Sequence, residues 1–100
     1  EIEIIRLSCL RSYGRIAHGT ARAPDASMLK LYWSNVVQSM YETALETLGS
    51  LAPLTEGDPL SPADGRYQLS YLHSRAFTIY SGSSEIQRNI IAERLLGLPK

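Results

Sequence analysis

Cysteine is almost missing from this sequence, since Cys9 is the only one among 100 residues. A single thiol cannot form an internal disulfide framework or a multi-cysteine zinc site. His18 and His73 are the only histidines, and neither stands in a helical metal-ligand pattern with acidic residues. We therefore expect no metal site. The single cysteine also fits a reducing compartment, which predicts a cytoplasmic location.

An excess of charge of either sign is missing as well, because ten basic residues balance ten acidic ones. No net field then draws the chain to nucleic acid or to an anionic membrane surface. No run approaches the roughly 18 consecutive apolar residues of a membrane span, and the acidic start at Glu1 is unlike a signal peptide. These absences predict a chain that binds neither nucleic acid nor membrane.

What the sequence has instead is apolar residues at steps of three and four, the pattern of amphipathic helices. This pattern begins at Ile2 without a start methionine, which indicates a fragment entered inside a helix. Three prolines and two glycines between residues 51 and 65 indicate a loop at about 51–64. No segment alternates with period two, so we expect an all-α, antiparallel four-helix bundle. The predicted helices span about 1–18, 25–48, 65–80 and 84–96.

The ends and faces of these helices are also predicted by particular residues. Asp25 and Asp64 are expected to cap the second and third helices, and Ser84 with Gln87 has the spacing of a capping box for the fourth. The second helix is expected to turn inward Leu29, Tyr32, Val36, Met40, Leu45 and Leu48. The third is expected to carry one apolar face made of Leu69, Leu72, Ala76 and Ile79.

Residues 78–85 join the last two predicted helices through a turn of small residues. Amides at a helix start, the positive end of the helix dipole and flexible Gly82 can bind phosphate, ribose hydroxyls or a thioester carbonyl. The hydroxyls of Ser83 and Ser84 add donors. On spacing alone, a simple corner between two helices with a good cap explains the same residues better.

Two other interpretations of polar and aromatic residues are weaker. Ser81, His73 and Asp64 have the side chains of a hydrolytic triad, but the chain lacks a nucleophile-elbow sequence, and His73 precedes the serine by two helical turns. Chance composition explains these three residues better. Trp33 offers a stacking surface, as do Tyr32, Tyr41, Tyr67, Tyr71 and Tyr80. Without a basic stripe these residues are expected to pack in the core and at subunit interfaces.

The segment 78–99, TIYSGSSEIQRNIIAERLLGLP, resembles the C-terminal signature of acyl-CoA dehydrogenases. Upstream, residues 24–28 with Lys30 and Trp33 resemble the start of the penultimate long helix of that family. Residues 64–67 resemble the run-in to the following helix. The resemblance covers essentially the whole chain and implies the C-terminal helical domain of the acyl-CoA dehydrogenase fold.

This resemblance implies an FAD-dependent α,β-desaturation of an acyl-CoA thioester. A carboxylate removes the α-proton while the β-hydrogen leaves as hydride to FAD. In many members the carboxylate is a glutamate of this turn, at the position that here is Ser81. A serine hydroxyl cannot be its own general base near neutral pH, so no catalytic residue is expected in this chain. Either the base lies on an earlier helix, as in branches resembling the isovaleryl and long-chain enzymes, or the chain is a catalytically silent subunit of a heteromeric enzyme.

The family pattern also assigns binding roles to residues of this chain. Ser81 and Gly82 would contact the acyl-CoA thioester, whereas FAD would be contacted by Ser83, Ser84 and Glu85. Glu85 stands where glutamine is common, so its carboxylate is expected to point toward a hydroxyl donor or solvent. At the end of the second helix, further FAD contacts across a subunit interface are implied for Glu46, Gly49 and Ser50.

The implied partners are an acyl-CoA substrate, an electron-acceptor flavoprotein and further subunits in a homo- or hetero-oligomer. Because four helices bury little surface alone, we expect self-association. The chain by itself is expected neither to retain FAD nor to be active. The alternative is a non-catalytic helical interaction module that completes a flavin site or an oligomer.

Overall fold

The computed structural model describes residues 1–99, apart from the side chain of Ala23. The predicted all-α class is confirmed, and no strand occurs among these residues. The four α-helices are α1 (Ile2–Ala17), α2 (Ala23–Leu48), α3 (Arg66–Ser74) and α4 (Ser84–Arg94). Short 3-10 helices lie at Gly49–Leu51, Pro62–Gly65 and Arg75–Thr78. In the described part of the chain, no helix is both long and apolar enough to cross a membrane.

The central element is α2, which packs against each of the other three helices. At 1.5 Å per residue, its 26 residues extend for about 39 Å. The fold is correspondingly elongated, with extents of 53 × 30 × 18 Å. Polar side chains fasten α3 to it, because the amide of Gln38 donates to the carbonyl of Ser74 at 3.1 Å and to the Thr78 hydroxyl at 3.3 Å. Thus α2 is the scaffold on which the turn before α4 is placed.

The α1–α2 connection is held by an ion pair between Arg15 and Asp25, with Nη1 and Oδ1 2.6 Å apart. Asp25 was predicted as the helix cap, but α2 begins at Ala23 and Asp25 is its third residue. From there its carboxylate accepts the backbone N–H of Arg22 at 3.3 Å. The hydrogen bond from Arg15 holds the pKa of Asp25 below its usual range, against a smaller opposing effect of burial.

The third helix is shorter than predicted, because the α-helix ends at Ser74 and the chain tightens into the Arg75–Thr78 turn. Here Ile79 N–H donates to the Ala76 carbonyl three residues back, which is 3-10 geometry. Asp64 does not cap this helix. Its carboxylate instead accepts the backbone N–H of Gly57 at 2.8 Å and so closes the preceding loop.

Gly65 allows that loop to pack tightly against the start of α3. It is buried and has a φ of +72°, in the left-handed region that favours glycine. A Cβ at this position would lie 2.7 Å from the backbone nitrogen of Glu56 and 2.8 Å from the carbonyl carbon of Thr55. Residue 65 therefore has to be glycine for the loop to keep this path.

The predicted apolar faces are only partly buried within the chain. Val36 is buried, with 8% of its surface exposed, and it is the only such hydrophobic residue among those described. The expectation for Met40 is wrong, and the predicted face of α3 points outward at Leu69, Leu72 and Ile79. Most of the surface of α1 is also exposed at Ile2, Ile4, Leu7, Leu10, Tyr13 and Ile16. Helical spacing defines a face, but it does not specify which neighbour covers that face.

Candidate functional site

The candidate site is the turn of residues 79–83, which reverses the chain between the Arg75–Thr78 segment and α4. Two consecutive residues of the turn have left-handed backbone conformations, with φ of +57° at Ser81 and +91° at Gly82. Such a conformation is unusual for a residue with a side chain and needs support from its surroundings. Ser81 is exposed and Gly82 is half-buried, so the turn lies at the surface of the described chain.

Two side chains from different helices hold the carbonyl groups of this turn. Lys30, on α2, donates from Nζ to the carbonyl oxygen of Gly82 at 2.7 Å. Gln87, on α4, donates from Nε2 to the carbonyl oxygens of Ser81 at 3.0 Å and Gly82 at 3.4 Å. The Gln87 side chain is buried under the turn, with only 7% of the residue exposed. Both carbonyls of the turn therefore face the protein interior.

The direction of these carbonyls determines where the next two amides point. In a trans peptide the C=O and the following N–H lie on opposite sides of the peptide plane, and the described chain contains no cis peptide bond. The N–H groups of Gly82 and Ser83 therefore point away from Gln87 and Lys30. Neither N–H has a hydrogen-bond acceptor among the described residues 1–99. The outer side of the turn thus presents two donors suited to a ligand oxygen.

The start of α4 differs from the predicted capping box. The capping residue is Ser83, whose hydroxyl accepts the N–H of Ile86 at 3.4 Å, and Ser84 is already the first residue of the helix. Gln87 does not reach back to the cap amide, because its side chain is used by the carbonyls of the turn. Ser84 is buried, so of the two serines only the half-buried Ser83 lies near the surface.

Glu85 is exposed in the first turn of α4. Hydrogen bonds from its own backbone N–H and from the Ser83 hydroxyl lower the pKa of its carboxyl, with smaller contributions from the charges of Arg88 and Lys30. That Glu85 faces a hydroxyl-bearing part of a ligand stays a prediction.

The second predicted cluster lies at the opposite end of α2. Glu46, Gly49 and Ser50 are all exposed at the C-terminal end of this helix. Because Gly49 follows Lys30 by 19 residues, the helical rise separates the two positions by about 28 Å. The chain does not bring its two candidate clusters together, so any shared ligand has to bridge them or meet them on different subunits.

The remaining candidate residues have structural partners of their own. His73 packs edge-on against Phe77 with ring centroids 5.3 Å apart, and Asp64 is engaged in its loop, so no triad with Ser81 is formed. In the part of the chain that the structure describes, no group of three potential metal ligands occurs. A cavity of about 410 Å³ lies between α1 and α2 and is lined by residues that include Cys9, Tyr13, Ile16 and Leu29. It does not include the turn.

Residues 1–96 match the family model described as the acyl-CoA dehydrogenase C-terminal domain. The chain belongs to the acyl-CoA dehydrogenase family. The predicted family is thereby confirmed. The matched range contains α1, α2, α3, α4 and the turn, so the candidate site lies within the part of the chain that matches the family.

Individual acyl-CoA dehydrogenases are similar over nearly the whole chain. The acyl-CoA dehydrogenase IpdE1 of Mycolicibacterium smegmatis is 39% identical over 94% of this chain and 23% of its own length. IpdE1 of Mycobacterium tuberculosis is 45% identical over 94% of this chain and 24% of its own length. A crystal structure of the ChsE4-ChsE5 complex from Mycobacterium tuberculosis superimposes with a TM-score of 0.81 at 27% identity, covering 98% of this chain and 25% of that one. The chain thus spans about a quarter of the length of these relatives.

Sequence reasoning missed how Lys30 and Gln87 act on the turn. Lys30 was noticed only as part of a family-like motif, and it contacts a carbonyl 52 residues later in the chain. Gln87 was assigned to a cap that Ser83 forms alone. No local spacing rule links Lys30 to Gly82, since that contact depends on how α4 packs on α2. Gln87 lies only five and six residues after the two carbonyls that it contacts, but the capping-box spacing assigned its side chain to the helix cap instead.

Proposed function

We propose that this chain forms the C-terminal helical part of a cytoplasmic, FAD-dependent enzyme that desaturates acyl-CoA thioesters between Cα and Cβ. FAD, when bound, accepts the hydride from Cβ. The observation that supports the proposal most is the turn at Ser81 and Gly82, a surface turn with two outward N–H donors, inside a chain that matches the family over residues 1–96. The donor set suits a ligand rich in oxygen atoms.

Within this proposal, the residues of the turn bind and orient rather than perform proton transfer. Ser81 and Gly82 contact the thioester, and the N–H of Ser83, its hydroxyl and the start of α4 contact FAD, while Glu85 approaches a hydroxyl of the cofactor. Ser84 is buried, so it supports the helix start and offers a ligand its backbone rather than its side chain. Ser81 is exposed but has no partner base in the described chain, so the proton acceptor belongs to another segment.

A second candidate function is that of a catalytically silent subunit in a heteromeric dehydrogenase. Ser81 in place of a glutamate favours it, and the solved neighbour is a complex of two differently named chains. In that arrangement Glu46, Gly49 and Ser50 at the far end of α2 complete a flavin site on the partner. The electron-acceptor flavoprotein then serves the assembled enzyme.

The test uses the complete protein that contains this chain, produced with any partner subunit it requires. The purified protein is expected to be yellow, to retain flavin through dialysis and to oxidise acyl-CoA with an artificial electron acceptor. Ser81→Ala is expected to keep FAD and to change turnover only modestly, with Ser39→Ala on the exposed side of α2 as the control. Near-complete loss of turnover in Ser81→Ala with FAD still bound would overturn the assignment of the base to another segment. A colourless protein that binds no flavin would refute the proposed function itself.

A further inference from the structure

Lys30 connects α2 to the turn. Its half-buried side chain rises from α2, and its ammonium group lies 2.7 Å from the carbonyl oxygen of Gly82. A hydrogen bond from a charged donor is shorter and stronger than one between neutral groups. Among the described residues, Lys30 is the cationic side chain that donates a hydrogen bond to a carbonyl of the turn. The turn is therefore tied to α2 by a directional contact.

The turn that Lys30 contacts has a backbone conformation that needs stabilising contacts. Ser81 has a φ of +57°, which is unfavourable for a residue with a Cβ, and Gly82 follows at +91°. The Gly82–Ser83 peptide plane is defined by the hydrogen bonds that its carbonyl accepts from Lys30 and from Gln87. If the carbonyl rotates, the N–H of Ser83 rotates with it, because both belong to one rigid plane.

We propose that Lys30 is a positioning residue: through the carbonyl of Gly82 it fixes the direction in which Ser83 presents its N–H to FAD. This inference rests on the proposed function, because it is that function which gives Ser83 a flavin cofactor to meet. Lys30 reaches only the inner side of the turn and acts on the ligand through the peptide. Gln87 supports the same carbonyl from below but carries no charge, so its longer contact of 3.4 Å does not replace Lys30.

The experiment compares Lys30→Met, Lys30→Arg and the control Arg66→Met in the complete flavoprotein with any partner subunit. Arg66 is an exposed cation at the start of α3. Lys30→Met is expected to weaken FAD binding about tenfold, as measured by flavin fluorescence during titration of the apoprotein, corresponding to the loss of one charge-assisted hydrogen bond. Lys30→Arg is expected to restore most of the affinity, and Arg66→Met is expected to leave it unchanged.

A crystal structure of Lys30→Met provides a readout that does not depend on flavin. The Gly82 carbonyl is expected to turn away from α2, and φ of Ser81 is expected to leave the left-handed region. An unchanged turn, or an FAD affinity equal to that of Arg66→Met, would overturn the inference. If Lys30→Met does not yield folded protein, the same two measurements are made on Lys30→Gln. That variant keeps a hydrogen-bond donor without the charge.

Failure of the inference and failure of the proposed function are distinguishable. A wild-type protein that binds no flavin refutes the function, and the inference toward FAD falls with it. A wild-type protein that binds FAD, together with a Lys30→Met variant that binds it equally well, leaves the function intact and refutes the role of Lys30. A rearranged turn with unchanged FAD affinity also refutes that role, since the Ser83 N–H would then not contribute to binding.

Discussion

Gln87 lies directly beneath Gly82, and a Cβ on Gly82 would come within 2.6 Å of the Gln87 side-chain nitrogen. The same nitrogen donates to the carbonyls of Ser81 and Gly82, so it cannot move aside without losing both hydrogen bonds. The lack of space for a Cβ and the positive φ therefore both require glycine at position 82. The shape of the turn is set by packing from below as well as by the freedom of glycine.

Gly82→Ala is accordingly expected to lower the free energy of unfolding by about 2 kcal/mol, through a strained φ and a displaced Gln87. Urea denaturation followed by circular dichroism measures this change. Gly14→Ala is the matched control, because Gly14 lies within α1 and an added Cβ there meets nothing within 4 Å. That control is expected to be stabilising by about 0.8 kcal/mol. Equal effects of the two substitutions would contradict the steric role of Gln87.

Gly65→Ala is expected to be at least as disruptive as Gly82→Ala, because the atoms near its Cβ belong to backbone rather than to a side chain. The backbone nitrogen of Glu56 at 2.7 Å cannot rotate away, so a loss of about 3 kcal/mol is expected. Gly57→Ala separates strain from crowding, since Gly57 also has a positive φ but open space around it. A Gly65→Ala variant no less stable than Gly57→Ala would show that the loop is free to shift.

Ser74→Leu tests the close packing of α3 in the fold. Ser74 is fully buried, its hydroxyl donates to the Tyr71 carbonyl at 2.6 Å, and its own carbonyl accepts from Gln38. A larger side chain there has to push helices apart, which is expected to cost about 1–3 kcal/mol in thermal or urea denaturation. Ser39→Leu, the same change at an exposed position of α2, is expected to have little effect. Comparable stability of the two variants would show that the packing around Ser74 is loose.

The Arg15–Asp25 pair predicts a pH-dependent contribution to stability. Because the folded pKa of Asp25 is lowered by Arg15, this stabilisation is present above the unfolded pKa of about 3.9 and is lost as pH falls through the folded pKa. Asp25→Asn is thus expected to be less stable than wild type at pH 7, with the difference shrinking in acid.

Urea midpoints at several pH values, together with an NMR titration of the Asp25 carboxyl, measure this contribution. Arg15→Gln is the complementary variant and is expected to remove the same pH dependence, since the hydrogen bond from Arg15 is the largest cause of the shift. An ordinary titration of Asp25 in the wild-type protein would contradict the prediction.

The sequence was sufficient for the existence of the four helices and for the family, because both depend on local patterns. Apolar residues at helical steps predict helices whatever covers them, and the 78–99 signature is continuous in the chain. The helix boundaries were harder to predict from the sequence. The third helix was predicted to reach residue 80 but ends at Ser74, where the chain changes to the tighter 3-10 geometry of the following residues.

The hydrogen bonds that hold the candidate site could not be predicted from local sequence patterns. The capping-box spacing of Ser84 and Gln87 predicted the wrong cap, because the Gln87 side chain is used by the carbonyls of the turn and Ser83 caps the helix. The contact from Lys30 to Gly82 spans 52 residues and depends on the packing of α4 on α2. Likewise, the helical spacing of Leu69 and Leu72 correctly indicated one face of α3, but it could not show that this face is exposed.

The outward apolar surface of α1 and α3 has a consequence for mutational scans of this polypeptide by itself. Because Leu7 is 52% and Leu69 is 69% exposed, a hydrophobic-to-polar substitution at either position removes little packing within the chain. Such a scan would rate Leu7 or Leu69 as dispensable, and replacing them with polar residues would even improve solubility. The same replacements in the assembled protein would report on the surfaces that meet these leucines, so the difference between the two scans maps what this domain touches.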